Sequence, residues 1–313
     1  MKDTSIQVNK HLRRRKILRT CQVYSLGIIP LILVFIFNYI PMFGIIIAFK
    51  DYKYSKGIFG SEWVGFENFE LFVRSKDFAL LVRNTVGLNA LFIVAGVIAA
   101  IFLAILLYEL TSRLSTKIFQ TILITPNFLS WVVVAYMAYA ILHPMHGTLN
   151  QLIAKFGMAP VDWYSTPGAW PFILLIASIW KHFGMDSVIY YAALMGIDTS
   201  LFEVAKIEGA TWWQKVRYVI IPCLTPLITI LTILKIGGIF RADFGLFYQL
   251  TRNVGKLYEV TDVMDTYIFR TMRELGDMGI SSAAGLLQSV VGFILVMTTN
   301  AIVKKIDPDR ALF

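Results

Sequence analysis

The sequence predicts an all-α membrane protein with six transmembrane helices and both termini in the cytosol. Three observations carry that prediction: a lipid-compatible composition, six apolar runs of spanning length, and Lys and Arg gathered in alternate connections while the others mix acid with base. Of 313 residues, 57% are hydrophobic, 14% aromatic and only 16% charged, and the mean hydropathy is +0.66. Such a chain has lipid as its main solvent. A formal charge of +9 and a pI near 9.4 would suggest nucleic acid in a soluble domain. Here the bases gather in short segments beside apolar stretches, as topology requires, so the predicted partner is membrane lipid and no nucleic acid is expected. The two cysteines, Cys21 and Cys223, flank predicted spans at their cytosolic ends. They indicate neither a disulfide framework nor a metal cluster.

A hydrocarbon layer of ~30 Å needs about 20 apolar residues per helix. Runs of that kind lie near 22–48, 84–108, 118–142, 170–195, 222–243 and 280–303. The chain thus divides into a basic tail (1–21), a transmembrane domain (22–303) containing a cytosolic loop (196–222), and a short tail (304–313). Pro30 and Pro41 predict that the first span is kinked, or ends by Tyr39 with the rest near the outer surface. Its basic-then-apolar start imitates a signal peptide, but the run is too long and lacks a small-x-small cleavage site, so it reads as a retained helix.

Orientation follows from positive charge, which stays on the cytosolic side. Lys2, Lys10, Arg13 to Lys16 and Arg19 precede span one; Arg113 and Lys117 follow span two; Lys206, Lys215 and Arg217 follow span four; Lys304, Lys305 and Arg310 follow span six. The opposite connections mix acid with base, as in Asp51, Glu62, Glu67, Glu70 and Asp77, or Asp262, Asp265, Glu274 and Asp277.

Between spans four and five, Glu203 to Pro222 is charged and amphipathic, with the pattern helix, Gly break, helix. Ser200-Leu201-Phe202-Glu203 and Thr211-Trp212-Trp213-Gln214 each have the form of a capping box, and Gly209 stands between the helices they would start. Trp212, Val216, Val219 and Ile220 form an apolar stripe, away from Gln214, Lys215 and Arg217. An interfacial helix on lipid headgroups would share the stripe; two capped helices joined by Gly favour a unit that docks a protein in the cytosol.

This segment resembles the signature of the permease subunits of binding-protein-dependent ABC importers: E-A-A, three residues, Gly, nine residues, then I-x-L-P. Glu203, Ala205, Gly209, Val219, Ile221 and Pro222 fall on that spacing, with Val204, Val219 and Ile221 as conservative departures. Tyr39 to Gly44 followed by Ala48 to Tyr52, Trp63 to Phe69, Pro126 to Val133, Asp265-Thr266-Tyr267 and the terminal Ala311-Leu312-Phe313 resemble its polysaccharide and oligosaccharide branch, similar to maltose-type permeases. The resemblance implies a type I ABC importer permease fold in a bacterial cell (inner) membrane. It implies a cytosolic ABC ATPase dimer, a second permease subunit of different sequence, and a lipid-anchored or periplasmic solute-binding protein that delivers sugar. ATP and Mg would be held by the ATPase, with no cofactor in this chain. The hairpin would be the coupling helix, with Glu203, Ala205, Gly209, Ala210 and Pro222 at the ATPase contact.

The chain agrees by omission. A P-loop needs G-x-x-x-x-G-K-[ST] so that amides, Lys and a hydroxyl hold phosphates and magnesium. Gly255-Lys256 is followed by Leu257, with Leu250 where the first Gly should stand. No catalytic residues are predicted, and energy must arrive through a partner.

The pathway is read from the cost of polar groups in lipid. Lys181 lies 11 residues beyond Trp170, about 16 Å at ~1.5 Å per residue and so near mid-depth. It should face water or a partner, because a mid-membrane Lys costs roughly 2.5–3.5 kcal/mol. Asp186 lies four residues after His182, within reach on one helix face, and Lys235 falls near mid-depth of span five. Asn89, Asn127, Trp131 and Gln288 add amides and an aromatic ring, a set suited to a saccharide. Two pathway cations, Lys181 and Lys235, would favour an acidic sugar such as a uronic-acid oligomer.

His143 and His146 lack a third metal ligand in sequence, so no metal site is predicted. Trp63, Phe66, Phe69, Trp163 and Tyr164 read as interfacial anchors. The alternative function is an ATP-independent secondary transporter or channel, which would call for an inverted repeat and a buried ion-coupling acid.

Overall fold

A computed structural model describes residues 24–25 and 27–306. The basic tail, Cys21 and the Ala311-Leu312-Phe313 terminus lie outside the described residues. Among those described, five helices are long and apolar enough to cross a membrane, and a bent pair makes up to six. They are α1 (Gly27–Phe49), α3 (Phe78–Tyr108), the pair α4 (Arg113–Ile124) and α5 (Trp131–Leu142), α7 (Trp170–Met195), α9 (Trp212–Gly237) and α11 (Met278–Ile306). Short helices α2 (Glu67–Val73), α6 (Thr148–Lys155), α8 (Thr199–Ile207) and α10 (Met264–Arg273) connect them. A two-stranded antiparallel ribbon, β1 (Lys50–Asp51) with β2 (Glu62–Trp63), follows α1 and pairs Lys50 with Trp63.

Three predicted spans change on folding. The run 118–142 is not one helix: α4 and α5 meet at 97°. Pro126 removes an N–H and Ser130 caps α5 by accepting from Val133 N–H, so the chain stops and restarts. The run 222–243 begins ten residues earlier, at Trp212, and ends at Gly237. Pro222 therefore lies inside a continuous helix instead of closing the hairpin. The second span starts at Phe78, six residues before the predicted 84.

The first span neither ends at Tyr39 nor breaks at Pro41. A π-helical turn, Phe35–Tyr39, gives way to a tighter 3-10 stretch, Ile40–Phe49. Another π turn, Val216–Ile220, stands just before Pro222. A proline ring collides with the carbonyl four residues back, and widening the preceding turn lets the helix continue.

The tightest packing is between α3 and α7. At one end, Ala100 and Ala104, one turn apart and fully buried, let Tyr190, Leu194, Ile220 and Leu224 close in; small residues serve this purpose between membrane helices. At the other end, Leu88, Leu142, Trp170, Leu174, Phe247 and Leu250 form a second core. Trp163 and Tyr164 belong to that core and are not interfacial anchors: Tyr164 is buried and Trp163 donates to Asn150 Oδ1 at 3.2 Å. Trp63 and Phe66 remain exposed, at 66% and 72%. In the α10 region, Asp262 accepts from Arg270 at 2.5 Å and 3.0 Å, and Asn84 on α3 donates to the Asp262 carbonyl at 3.0 Å.

Candidate functional site

The hairpin between α7 and α9 has the predicted helix–Gly–helix form. Its first cap differs: Asp198, not Ser200, starts α8 by accepting from Ser200 N–H at 2.9 Å. That backbone bond holds the Asp198 carboxyl below its ordinary range. Glu203 thus sits mid-helix instead of completing a box. The helix closes in a Schellman turn: Gly209 has φ +68, its N–H reaches Lys206 O at 3.2 Å, and Ala210 N–H reaches Ala205 O at 2.9 Å. The left-handed residue must be Gly at no steric cost. The second capping box is present: Gln214 Oε1 accepts from Thr211 N–H at 2.7 Å, and Thr211 Oγ1 accepts from Gln214 N–H at 3.4 Å.

Val216 and Ile220 are buried beneath the hairpin, while Gln214 and Arg217 are exposed. Lys215 is ion-paired to Glu109 at the end of α3, and Phe202 meets Tyr108 with ring centroids 5.4 Å apart. The outer face is left bare: Glu203 and Glu208 are exposed, with Leu201, Val204, Ile207 (83%) and Trp213 (72%) beside them.

Within the bundle, a cavity of about 380 Å³ opens between α3, α7, α9 and the segment after Gly237, lined by Asn89, Phe92, His182, Asp186, Lys235 and Asp243 among others. Lys235 Nζ bonds Asp186 Oδ2 at 2.6 Å, bridging α9 to α7. Asp186 thus takes Lys235 as its ion-pair partner, and His182 Nδ1 is 3.0 Å from Ser178 O on its own helix. Asn89 donates to Ile239 O at 2.7 Å and to Arg241 O at 3.0 Å. Trp131 Nε1 donates to Asp243 Oδ2 at 2.7 Å. A Cβ at Gly245 would overlap the Trp131 ring, so only Gly lets the indole reach Asp243.

Two of the predicted residues, Lys181 and Gln288, do not line this cavity. Lys181 faces no water: it is 6% exposed, and its Nζ donates to the carbonyls of Leu129, Asn127 (3.0 Å) and Pro126 (3.5 Å). The cation caps the break between α4 and α5, assisted by the Trp131 ring 5.3 Å away. Gln288 is 5% exposed and donates to Phe240 O at 2.6 Å and to Asp265 Oδ2 at 3.0 Å. Asn127 itself is half-buried, contributing its carbonyl to Lys181.

Sequence reading missed Gly184, where a Cβ would land on the Leu123 carbonyl. It sits one turn from Lys181, so α7 supplies both the room for the α4–α5 break and the cation that caps it. Asp265, read from sequence only as a loop acid and part of a motif, has a role not foreseen there: its Oδ2 accepts from Ala242 N–H at 2.7 Å. Burial pushes its carboxyl above the ordinary range despite those donors.

Apolar helices of spanning length, interrupted by breaks that are hydrogen-bonded from within and arranged around a polar cavity, define a polytopic membrane protein. The chain belongs to the binding-protein-dependent transport system inner membrane component family, whose description matches residues 93–309. It is an ABC-transporter permease subunit. It is 33% identical over 303 residues to the polygalacturonan/rhamnogalacturonan transport system permease protein YteP of Bacillus subtilis, covering 96% of this chain and 94% of that one. Its fold is similar to a chain in the crystal structure of a bacterial ABC transporter involved in import of the acidic polysaccharide alginate. That match has a TM-score of 0.84 and 31% identity over 94% of this chain and 98% of that one. The bacterial alginate transporter in complex with an alginate pentasaccharide-bound periplasmic protein is similar too, at TM-score 0.82 and 32% identity over 93% and 97% of the two chains.

Proposed function

We propose that this chain forms half of the path by which an ATP-driven importer takes up an oligosaccharide or polysaccharide fragment handed over by an extracellular solute-binding protein. The observation that carries the reading is the hairpin at 198–222: a rigid, doubly capped unit anchored to α3 by Lys215 and Glu109, yet presenting an exposed mixed apolar and acidic face. Such a face fits a cleft on a cytosolic ABC ATPase dimer, with Glu203, Ala205, Gly209 and Ala210 at or beside the contact. Pro222 acts one step inward, where the π turn joins hairpin to membrane helix. A push on the hairpin passes directly into α9, because Trp212 to Gly237 is one continuous helix. The ATPase binds the ATP and Mg.

In this reading both termini and the hairpin face the cytosol of a bacterial cell whose inner membrane holds the chain, and a second, different permease subunit completes the path. The Lys235–Asp186 cavity, with Asn89 and Trp131, lines this half of it. Acidic polysaccharides are the favoured cargo, since polygalacturonan and alginate are named for the similar proteins.

Purification from native membranes in mild detergent tests the assembly. An ATPase subunit and a second permease should accompany the chain, and Glu203→Lys or Gly209→Pro should abolish sugar uptake while insertion persists. A chain recovered alone, or unchanged uptake by those variants, would favour the ATP-independent transporter.

A further inference from the structure

A second pocket lies along the same seam, beyond the cavity described above. Helix α5 starts at Trp131, against Asp243 of the inner cavity, and runs on to Tyr136 and Tyr139; the facing segment runs from Asp243 to Asn253. Between these two, Tyr136, Tyr139, Tyr248, Gln249, Arg252 and Asn253 surround a space of about 220 Å³. That is below the roughly 300–1,000 Å³ of sites for drug-sized ligands, and suits a single sugar ring.

The chemistry of the pocket is that of carbohydrate recognition. Tyr136 is 70% exposed and offers an open ring face. Among the described residues, the Gln249 amide and the Arg252 guanidinium have no hydrogen-bond or ion-pair partner; the guanidinium lies 4.0 Å over the Tyr139 ring. The cation is therefore held in place by an aromatic plane while its donors stay available.

The backbone supplies an independent observation. Arg252 and Asn253 both have left-handed φ, +54 and +52, a region that non-glycine residues rarely enter and that clusters at functional sites. The turn is pinned on both sides. Thr251 Oγ1 donates to Phe247 O at 2.5 Å, Asn253 Nδ2 donates to Glu274 Oε1 at 3.0 Å, and Tyr258 OH donates to Asn253 Oδ1 at 2.9 Å. The fold thus tolerates an unfavourable backbone whose visible result is to set the Arg252 side chain over Tyr139.

We propose that this pocket is an outer saccharide subsite that takes one acidic sugar unit. Tyr136 underlies the ring, Arg252 binds the carboxylate and Gln249 meets a hydroxyl. The inference rests on the saccharide-importer reading, whose path it extends outward from the Lys235–Asp186 cavity.

The test uses the assembled complex in lipid nanodiscs without solute-binding protein, and measures equilibrium binding of radiolabelled trigalacturonate and maltotriose. Wild type should prefer the acid. Arg252→Gly adopts the left-handed backbone without a Cβ penalty, so the turn survives. It should weaken trigalacturonate about tenfold, the scale of one charge-assisted hydrogen bond, and leave maltotriose within about twofold. Tyr136→Ala should weaken both. Binding unchanged in both variants, or a wild type that binds neither sugar or both equally, would overturn the subsite. So would trigalacturonate binding that vanishes when phosphatidylglycerol is added to neutral-lipid discs, since the pocket would then belong to an anionic headgroup. The importer reading fails separately, if the same complex contains no ATPase or drives no sugar uptake.

Discussion

Among the described residues, the breaks at 125–130 and 238–243 are closed in different ways. Between α4 and α5, at 125–130, the freed carbonyls of Pro126, Asn127 and Leu129 all accept from one buried cation, Lys181. After α9, at 238–243, the carbonyls of Ile239, Phe240 and Arg241 accept from neutral amides, Asn89 and Gln288, while Ala242 N–H finds Asp265. Non-helical backbone at membrane depth is tolerated only where its polar groups are satisfied or wet. The charged cap is sealed, and the cavity opens at the amide-capped break, where Asn89 contributes to its lining. The difference teaches that a charge in a span does not by itself mark the pathway; what its head group is bonded to decides. Of the two cations, Lys235 is the one that lines the cavity, where its Nζ holds Asp186.

The largest way to break the contrast is Gly184→Leu. Any Cβ there meets the Leu123 backbone, which has no flexible end to move aside. Overpacking of this kind costs about 1–3 kcal/mol or more, and most of the protein should be lost from the folded, detergent-soluble membrane fraction. Lys181→Met should come next. It leaves buried carbonyls without a donor, at about 1–3 kcal/mol for an unsatisfied buried group, seen as a lower melting temperature in detergent. Its acid-over-neutral sugar preference should nevertheless match wild type; a changed preference would return Lys181 to the pathway.

Lys235→Ala should show the reverse pattern. The pair is 37% and 29% exposed, so screening limits its contribution to about 1 kcal/mol or less, and the melting temperature should barely move. Uptake should fall several-fold, and a swapped Lys235→Asp, Asp186→Lys protein should recover part of it. Unchanged uptake by Lys235→Ala would remove the cavity from the path.

The smallest effect concerns Asp265 at the amide-capped break. Its folded pKa is raised by burial, so its protonated form is the one the fold favours. Its contribution is full below the unfolded value near 3.9 and is lost as pH rises through the raised folded value. Asp265→Asn keeps an oxygen for Ala242 and Gln288. It should be as stable as wild type or slightly more so at neutral pH, with a flatter stability profile between pH 4 and the raised value, measured by thermal unfolding across pH.

Much of this protein was legible because lipid imposes strong rules. Composition, apolar run length and the placement of Gly209, Thr211 and Gln214 each depend on neighbours in sequence, so the spanning helices and the hairpin's second cap follow from local chemistry. The first cap was misread because Asp198 and Ser200 are both competent and only the backbone chose between them. The site was harder. Asn89, Asp186 and Lys235 do come together around the cavity, and Trp131 bonds Asp243 of its lining, but Lys181 and Gln288 share their polarity and depth and turn elsewhere.

What the sequence determined by itself is a helical membrane protein with a capped hairpin between two spans, because hydrophobic length and capping residues act over a turn or two of chain. What only the tertiary structure decided is where the helices break and which polar side chain closes which break. Gly184 matters because of Leu123 and Lys181 because of Leu129, partners 61 and 52 residues distant in the chain. In a membrane interior every exposed carbonyl must find a donor, and helix packing sets which one it meets.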